Sequence, residues 1–280
     1  MLASAVIVFR EVLEACLIVS IILAATVDVA GSRRFVSFGV AAGLAGAGLF
    51  ALFADWVAAL FNGTGQDMFN AVAMAVAVVM LTWHNVWMAK HGREMAQQMR
   101  DVGQNVNDGT TDITMLAVVV GLAVLREGGE TILFLYGIAA SGQNGIGQMA
   151  TGLVLGAGAG IATGAALYLG LLRIPHRKLF AVTSAMVTLL AAGMAAQAVT
   201  FFSAAGILEY ADTPLWDTST LLSEDSVIGR LLHTLVGYVD RPNMVQLSVW
   251  FVTIAAITVL SRMANTPLVA AKTQVGVKQS

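Results

Sequence analysis

Charged residues, prolines and cysteines are all scarce in this chain of 280 residues. Only 11% of the residues are Asp, Glu, Lys or Arg, whereas soluble domains average about 25%. That scarcity excludes an ordinary soluble domain, and the 58% hydrophobic content predicts a polytopic membrane protein. A single cysteine, Cys16, excludes an internal disulfide and a metal cluster built on cysteines. The 15 basic and 17 acidic residues are nearly balanced, so we expect no nucleic-acid partner.

Several motifs of catalysis and nucleotide binding are missing as well. The sequence contains no Gly-x-x-x-x-Gly-Lys-Ser/Thr loop, so ATP would have to act through another chain. It contains neither a His-Glu-x-x-His zinc helix nor a Ser/His nucleophile in a recognisable context. We therefore expect this chain not to be an enzyme and to hold no permanent cofactor.

Long apolar runs, in contrast, are abundant. Crossing the hydrocarbon takes about 20 helical residues, and the apolar windows predict an all-α membrane protein with seven transmembrane helices. All 4 prolines fall in the connections between runs. The predicted spans form one transmembrane domain over 1–264, at about 2–27, 35–60, 69–89, 113–140, 147–172, 179–203 and 246–264.

The distribution of lysine and arginine predicts the orientation. The connections at 28–34, 90–112 and 173–178 and the end of the chain carry most of these residues, whereas the alternate connections carry only Arg230 and Arg241. By the positive-inside rule the amino terminus lies outside and the carboxyl terminus in the cytoplasm. We expect 265–280 to be a disordered cytoplasmic tail and 90–112 to be a polar linker.

An Arg-Glu-x-x-Glu motif occurs twice, each time near the middle of a long apolar run. The first copy is Arg10-Glu11-Val12-Leu13-Glu14 and the second is Arg126-Glu127-Gly128-Gly129-Glu130. At about 100° per residue, the arginine and both glutamates of each copy share one third of the helix circumference. Each charge at the bilayer centre costs roughly 2.5–3.5 kcal/mol, so such groups persist where they pair, line a wet cavity or handle an ion.

The two copies lie on helices that cross the membrane in opposite directions. Helices 1–3 and 4–6 therefore look like inverted-topology repeats followed by a seventh helix, and transporters built this way place their substrate site between the halves. Four carboxylates at that place would form an all-oxygen site for a hard cation. The predicted ligands are Glu11, Glu14, Glu127 and Glu130, with Arg10 and Arg126 as counter-charges that leave a formal charge of −2.

Other interpretations of the doubled motif stay open at this point. Ferric iron would justify burying so many carboxylates, and manganese or lead would also be compatible. Each motif could instead be a structural salt bridge between helices. A small amino-acid or cation exporter of the same plan, or a non-transporting metal-sensing membrane subunit, would also carry buried charges.

Small residues recur every four positions in the second and fifth runs. They predict close packing of these helices around helices 1 and 4. The two series are Gly39, Gly43, Ala47 and Ala51, and Gly152, Gly156, Gly160 and Gly164.

The connection at 204–245, external by the charge rule, carries more acids than bases. Such a segment concentrates cations near the membrane, and its candidates for cation capture are Asp217, Glu224 and Asp225. Ser223 is the predicted N-cap of an amphipathic helix at the outer interface.

Two polar residues inside the apolar runs need separate interpretations. Gln197 in helix 6 must find a partner at membrane depth and is a candidate for lining the pathway. His84, beside Trp83 and Trp87 near the cytoplasmic end of helix 3, is expected to be an interfacial histidine rather than a ligand.

The doubled motif resembles the mark of the high-affinity iron permeases of the oxidase-dependent iron transporter group. The segment from Leu215-Trp216-Asp217-Thr218-Ser219 through Gly229-Arg230-Leu231-Leu232-His233 to Gly237-Tyr238, and Ala195-Ala196-Gln197-Ala198, are similar to bacterial members. The resemblance implies inward transport of iron, ferric in the usual account, across the bacterial inner membrane. It implies iron as substrate rather than cofactor, and a periplasmic iron-binding or oxidase subunit as partner. Carried over by position, the four glutamates would bind iron.

Overall fold

The computed structural model describes residues 1–59, 66–140, 145–170, 176–207, 213–224 and 226–265. Within these ranges all regular structure is helical, apart from one isolated β-bridge between Pro214 and Asn243. The all-α prediction is therefore confirmed for the described chain. The helices are α1 (Leu2–Ala25), α2 (Ser32–Ala59), α3 (Gln66–Asn107), α4 (Thr114–Ala140), α5 (Ile146–Tyr168), α6 (His176–Ala204), α7 (Val227–Val236) and α8 (Met244–Asn265).

Five of these helices are long and apolar enough to cross a membrane. Their apolar stretches are Ser32–Val57, Asn70–Gly92, Ile146–Tyr168, Ala181–Ala204 and Met244–Ala264. Helices α1 and α4, of 24 and 27 residues, are long enough too, but each carries the three charges of one motif. The count of seven spans and the orientation of the chain therefore stay predictions.

Helix α3 is much longer than the span predicted for it. It continues for 42 residues to Asn107, about 63 Å at 1.5 Å per residue, so the prediction of a linker over 90–112 is wrong. The cause is an apolar stripe that the polar composition of this stretch conceals. Four residues of the stripe pack against the cluster around Ile18 and Ile22, and they are Met95, Met99, Val102 and Val106.

Close approach of backbones sets the positions of the two motif helices. The glycines of α5 meet α1 in matching order: Gly156 lies against Ala5, Gly160 against Phe9 and Gly164 against Cys16. These two helices therefore run parallel, and the predicted close packing of α5 on α1 is confirmed. The same relation joins α2 to α4, where Gly39 lies against Ala117, Gly43 against Gly121 and Ala47 against Gly128.

This packing exchanges helices between the two halves of the chain. Helix α5 has its most extensive contacts with α1 of the first half, and α2 has its most extensive contacts with α4 of the second half. Helices α3 and α6 pack on each other, α3 packs on both motif helices, and α6 packs on α1. The site helices α1 and α4 are thus each held by a glycine-rich neighbour on one side and by α3 on another.

A short helix, α7, occupies the connection between α6 and α8. Its N-cap is Ser226, whose hydroxyl accepts a hydrogen bond from Gly229 N at 2.9 Å, so the prediction of Ser223 as N-cap is wrong. The Ser223 carbonyl instead accepts from Ser226 N at 3.0 Å, which folds residue 223 over the first turn. Helix α7 ends at Gly237 in the left-handed conformation, φ 76°. That glycine packs directly on Gly193 of α6.

Two predictions lie outside the described residues. One is the prediction that Asp225 captures cations. The other is the disordered tail at 265–280, of which the structure describes residue 265 alone, as the last residue of α8.

Candidate metal site

Both Arg-Glu-x-x-Glu motifs adopt the same local geometry. In α1 the Nε atom of Arg10 donates to Glu14 Oε1 at 3.0 Å, and in α4 the Nε atom of Arg126 donates to Glu130 Oε1 at 3.0 Å. This geometry follows from the helix, because side chains four residues apart lie one above the other on the same face. Each arginine therefore donates a hydrogen bond to one of the two glutamates of its motif, and Arg126 Nε also lies 3.9 Å from Glu127 Oε1.

The surroundings of the two motifs differ. Arg10, Glu11 and Glu14 are all buried. In α4 the side chain of Arg126 is 36% exposed and that of Glu130 is 17% exposed. The Arg126 guanidinium lies over the ring of Trp87, 4.2 Å from its centroid, which is the geometry of a cation–π contact.

Helix α3 brings His84 into the space between the motifs. Its Nε2 atom lies 3.7 Å from Glu11 Oε2 and 3.6 Å from Glu14 Oε2, and its Nδ1 atom contacts Glu130 Oε2. Only 3% of the residue is exposed, so the prediction of an interfacial histidine is wrong. The error comes from the length of α3, which continues 23 residues beyond His84 and places it well inside the helix.

Four side chains from three helices converge at one point, and we call them the central cluster: Glu11, His84, Glu127 and Glu130. One ligand atom from each lies within 4.8 Å of the other three. Three of the four predicted glutamates thus meet directly. The fourth, Glu14, is outside this set, with one oxygen held by Arg10 and the other 3.6 Å from His84.

Several carboxylate oxygens here are buried without a hydrogen-bond partner among the described residues: Glu11 Oε1, Glu11 Oε2, Glu14 Oε2 and Glu127 Oε2. An ionised carboxylate taken out of water without a partner is strongly unfavourable. A cation bound in the central cluster would supply the missing partner for Glu11 and Glu127 at once. The donor set of carboxylates and one imidazole is one that first-row transition metals accept.

Gln197 lies away from the central cluster. On α3, Asn85 next to His84 donates to Thr188 of α6 at 2.9 Å, and Gln197 is nine residues further along α6, about 13 Å at 1.5 Å per residue. There its Oε1 atom is 3.0 Å from Nε2 of His233. Gln197 thus joins α7 to α6.

The acidic candidates of the outer connection have partners within the chain. Glu224 Oε1 lies 2.9 Å from His233 Nδ1, and Asp217 Oδ2 lies 3.0 Å from Nε of Arg241. Hydrogen bonds from Ser219 and the nearby Arg241 lower the pKa of Asp217 to about 2. Asp217 is therefore a carboxylate at any physiological pH.

The whole chain is similar to known proteins. Residues 1–276 match the model of the Iron permease FTR1 family. The ferrous iron permease EfeU of Escherichia coli O6:H1 is 32% identical to the chain over 250 residues, which cover 88% of this chain and 90% of that protein. The ferrous iron permease EfeU of Shigella sonnei is 32% identical over the same length and with the same coverage. No solved structure matches the chain.

These matches agree with the resemblance that the doubled motif indicates. Together with the five long apolar helices, they identify a multi-pass membrane protein. The chain belongs to the FTR1 family of iron permeases.

Proposed function

We propose that this protein imports iron across the bacterial inner membrane through a site between α1 and α4. The main support for this proposal is that carboxylates from both motifs converge at one point. Several of their oxygens are buried and have no hydrogen-bond partner among the described residues. In this proposal Glu11, Glu127 and Glu130 bind the ion directly, and Glu14 takes part as it enters or leaves. Arg10 and Arg126 hold Glu14 and Glu130 in place and reduce the negative charge.

The charge of the site favours ferrous iron as the ion that crosses. Four glutamates and two arginines carry a formal charge of −2, which a divalent ion neutralises and a trivalent ion exceeds. The relatives are named ferrous iron permeases. We therefore propose Fe²⁺ at the site itself, in place of the ferric ion that the family resemblance implies. A periplasmic iron-binding or oxidase subunit would deliver the metal.

A purely structural salt bridge explains the site less well. If the motifs only joined helices, each carboxylate would be expected to have a hydrogen-bonded partner. Hydrogen bonds join Arg10 to Glu14 and Arg126 to Glu130. Glu127 and Glu11 are only within ion-pair distance of Arg126 and His84, and both oxygens of Glu11 lack a hydrogen bond among the described residues. The excess of acid over base also disfavours a substrate that is itself a carboxylate.

The outer parts of the pathway follow from the orientation that the charge distribution predicts. With the amino terminus outside, the acidic connection before α8 faces the periplasm, and we propose that Asp217, Glu224 and Asp225 concentrate cations there. Gln197 lies between that surface and the central cluster. The membrane potential would favour inward movement by about 5 kcal/mol per 100 mV for a divalent ion.

Radioactive iron uptake tests the proposal directly. Cells that lack other iron importers would express the wild type, Glu11→Gln or Glu130→Gln at matched membrane abundance. Glu94→Gln is the control, because it makes the same chemical change at an exposed position of α3. We expect both site variants to lose uptake and the control to keep it. Uptake that persists in both site variants would mean that the motifs only stabilise the fold.

A further inference from the structure

The central cluster contains a nitrogen donor that belongs to neither motif. We propose that His84 is a ligand of the transported ion, and that it makes the site prefer Fe²⁺ to Mg²⁺, Ca²⁺ and Mn²⁺. This inference rests on the proposed iron import and concerns the selectivity of the same site.

The position of His84 is that of a ligand. Both ring nitrogens face carboxylates, with Nε2 toward Glu11 and Glu14 and Nδ1 toward Glu130. Ligands about 2.1 Å from one metal ion lie up to about 4.2 Å apart. The four donor atoms of the cluster already lie within 4.8 Å of one another, so none is more than about 0.6 Å beyond that largest separation.

Neighbouring residues hold the ring in this direction. Asn85, which is 3% exposed, donates to Thr188 Oγ1 at 2.9 Å and accepts from the hydroxyl of Ser184. These bonds fix the rotation of α3 against α6. Because consecutive side chains differ by about 100° around a helix, an Asn85 that faces α6 turns His84 toward α1 and α4. The edge of the ring meets Phe134, with 6.3 Å between ring centroids.

The nitrogen donor of the central cluster comes from α3, in the first half of the chain, without a counterpart among the described side chains of α6 in the second half. Helix α6, which packs against α3, has no His, Cys, Asp or Glu between residues 181 and 204. Among the described residues, the two halves therefore supply matching carboxylates to the central cluster but a single imidazole. A ligand outside the repeated motif is the feature by which this site departs from an all-oxygen site.

Donor chemistry explains what the imidazole adds. Carboxylate and carbonyl oxygens suit Mg²⁺, Ca²⁺ and Mn²⁺, whereas imidazole suits iron, zinc, copper and nickel. An all-carboxylate site would bind the abundant alkaline-earth ions as readily as it binds iron. One imidazole among the carboxylates shifts the preference toward iron without changing the formal charge of −2 that the glutamates and arginines supply.

The test uses the purified full chain in liposomes, with ⁵⁵Fe²⁺ uptake under reducing conditions and Mg²⁺, Ca²⁺ or Mn²⁺ as competitors. The variants are His84→Gln and His84→Asn. His91→Gln is the control, because His91 lies two turns further along α3, bonds to the carbonyl of Trp87 and is outside the cluster. In the His84 variants we expect the apparent affinity of uptake for Fe²⁺ to fall by about tenfold or more, and the apparent affinity for Mn²⁺ to change less. Iron uptake by these variants should become sensitive to inhibition by Mg²⁺. The control should match the wild type.

X-ray absorption at the iron edge supplies a readout that does not depend on folding of a variant. The wild-type protein loaded with Fe²⁺ should show imidazole scattering, and His84→Gln with iron still bound should lack it. A wild-type spectrum without imidazole, or an unchanged preference for iron over Mn²⁺ in the His84 variants, would overturn the proposal and leave His84 as a counter-charge. If either of these results is obtained but Glu11→Gln still loses iron binding, the import site stands and only the role of His84 is wrong. No iron binding by the wild type would instead contradict the proposed function.

Discussion

Replacing Gly156 with alanine should push α5 away from α1 and lower iron uptake. A Cβ atom at Gly156 would lie 2.5 Å from the carbonyl oxygen of Ala5 and 3.0 Å from Val8 Cβ. Ordinary contacts begin near 3.4 Å, so the helices would have to separate by about 0.9 Å in a close-packed interface. The nearest obstacle is backbone and cannot rotate away. Overpacking of this kind costs about 1–3 kcal/mol.

Gly158→Ala is the matched control, because a Cβ atom there meets nothing within 4 Å. Both substitutions gain the same helix propensity, about 1 kcal/mol, so the difference between them isolates the steric cost. Thermal unfolding in detergent should rank Gly156→Ala below Gly158→Ala. A shift of about 0.9 Å also exceeds the roughly 0.5 Å that a ligand site tolerates. Since α1 carries Glu11 and Glu14, we expect uptake to fall by about tenfold or more. Equal stability and equal uptake in the two variants would refute the close packing of α5 on α1.

Three further predictions concern polar contacts away from the motifs. Asn85→Ala should lower the free energy of unfolding by about 1–3 kcal/mol, because Ser184 and Thr188, its partly buried partners on α6, each lose a hydrogen bond; an unchanged unfolding temperature would contradict this. His233→Ala should increase amide hydrogen exchange throughout α7, because that side chain ties α7 to α6. The pKa of Asp217 falls from 3.8 to about 2 through hydrogen bonds from Ser219 and the charge of Arg241. Its contacts therefore stabilise the outer connection above about pH 4 and are lost as the pH falls through about 2. Hydrogen exchange should show this acid loosening in the wild type and a much smaller pH dependence in Asp217→Asn.

Sequence reasoning located the motifs and the packing of their helices because both depend on local periodicity. The spacing in Arg-Glu-x-x-Glu places three side chains on one helix face whatever surrounds it, and the structure shows the same Arg–Glu bond in each copy. Glycines every four residues form a flat stripe whatever helix covers it. Periodicity alone does not indicate which helix packs on which stripe. The structure places α5 of the second half on α1 and α2 of the first half on α4, and this exchange is a tertiary property.

The linker prediction and the placement of His84 failed for one physical reason, which is that polar composition concealed a helix. The stretch beyond Lys90 is polar on average, and this polarity hides the helical stripe of apolar residues at positions 95, 99, 102 and 106. A helix that ends near residue 89 would place His84 at an interface. The signal that would have found it is that stripe, because a helix that continues to Asn107 puts His84 near its middle.

The two motifs also show where local sequence stops determining the site. Their Arg–Glu distances are identical at 3.0 Å, yet the Arg10 side chain is 3% exposed and the Arg126 side chain is 36% exposed. The charged residues of Arg-Glu-x-x-Glu cannot produce that difference, because both copies have the same ones at the same spacing. It comes from the neighbours, since α3 and α4 pack on α1 and His84 of α3 faces Glu11 and Glu14, while Arg126 lies on the face of Trp87. The pairing within each motif is thus a property of the helix, whereas its burial, and with it the strength with which each carboxylate attracts a cation, is a property of the fold.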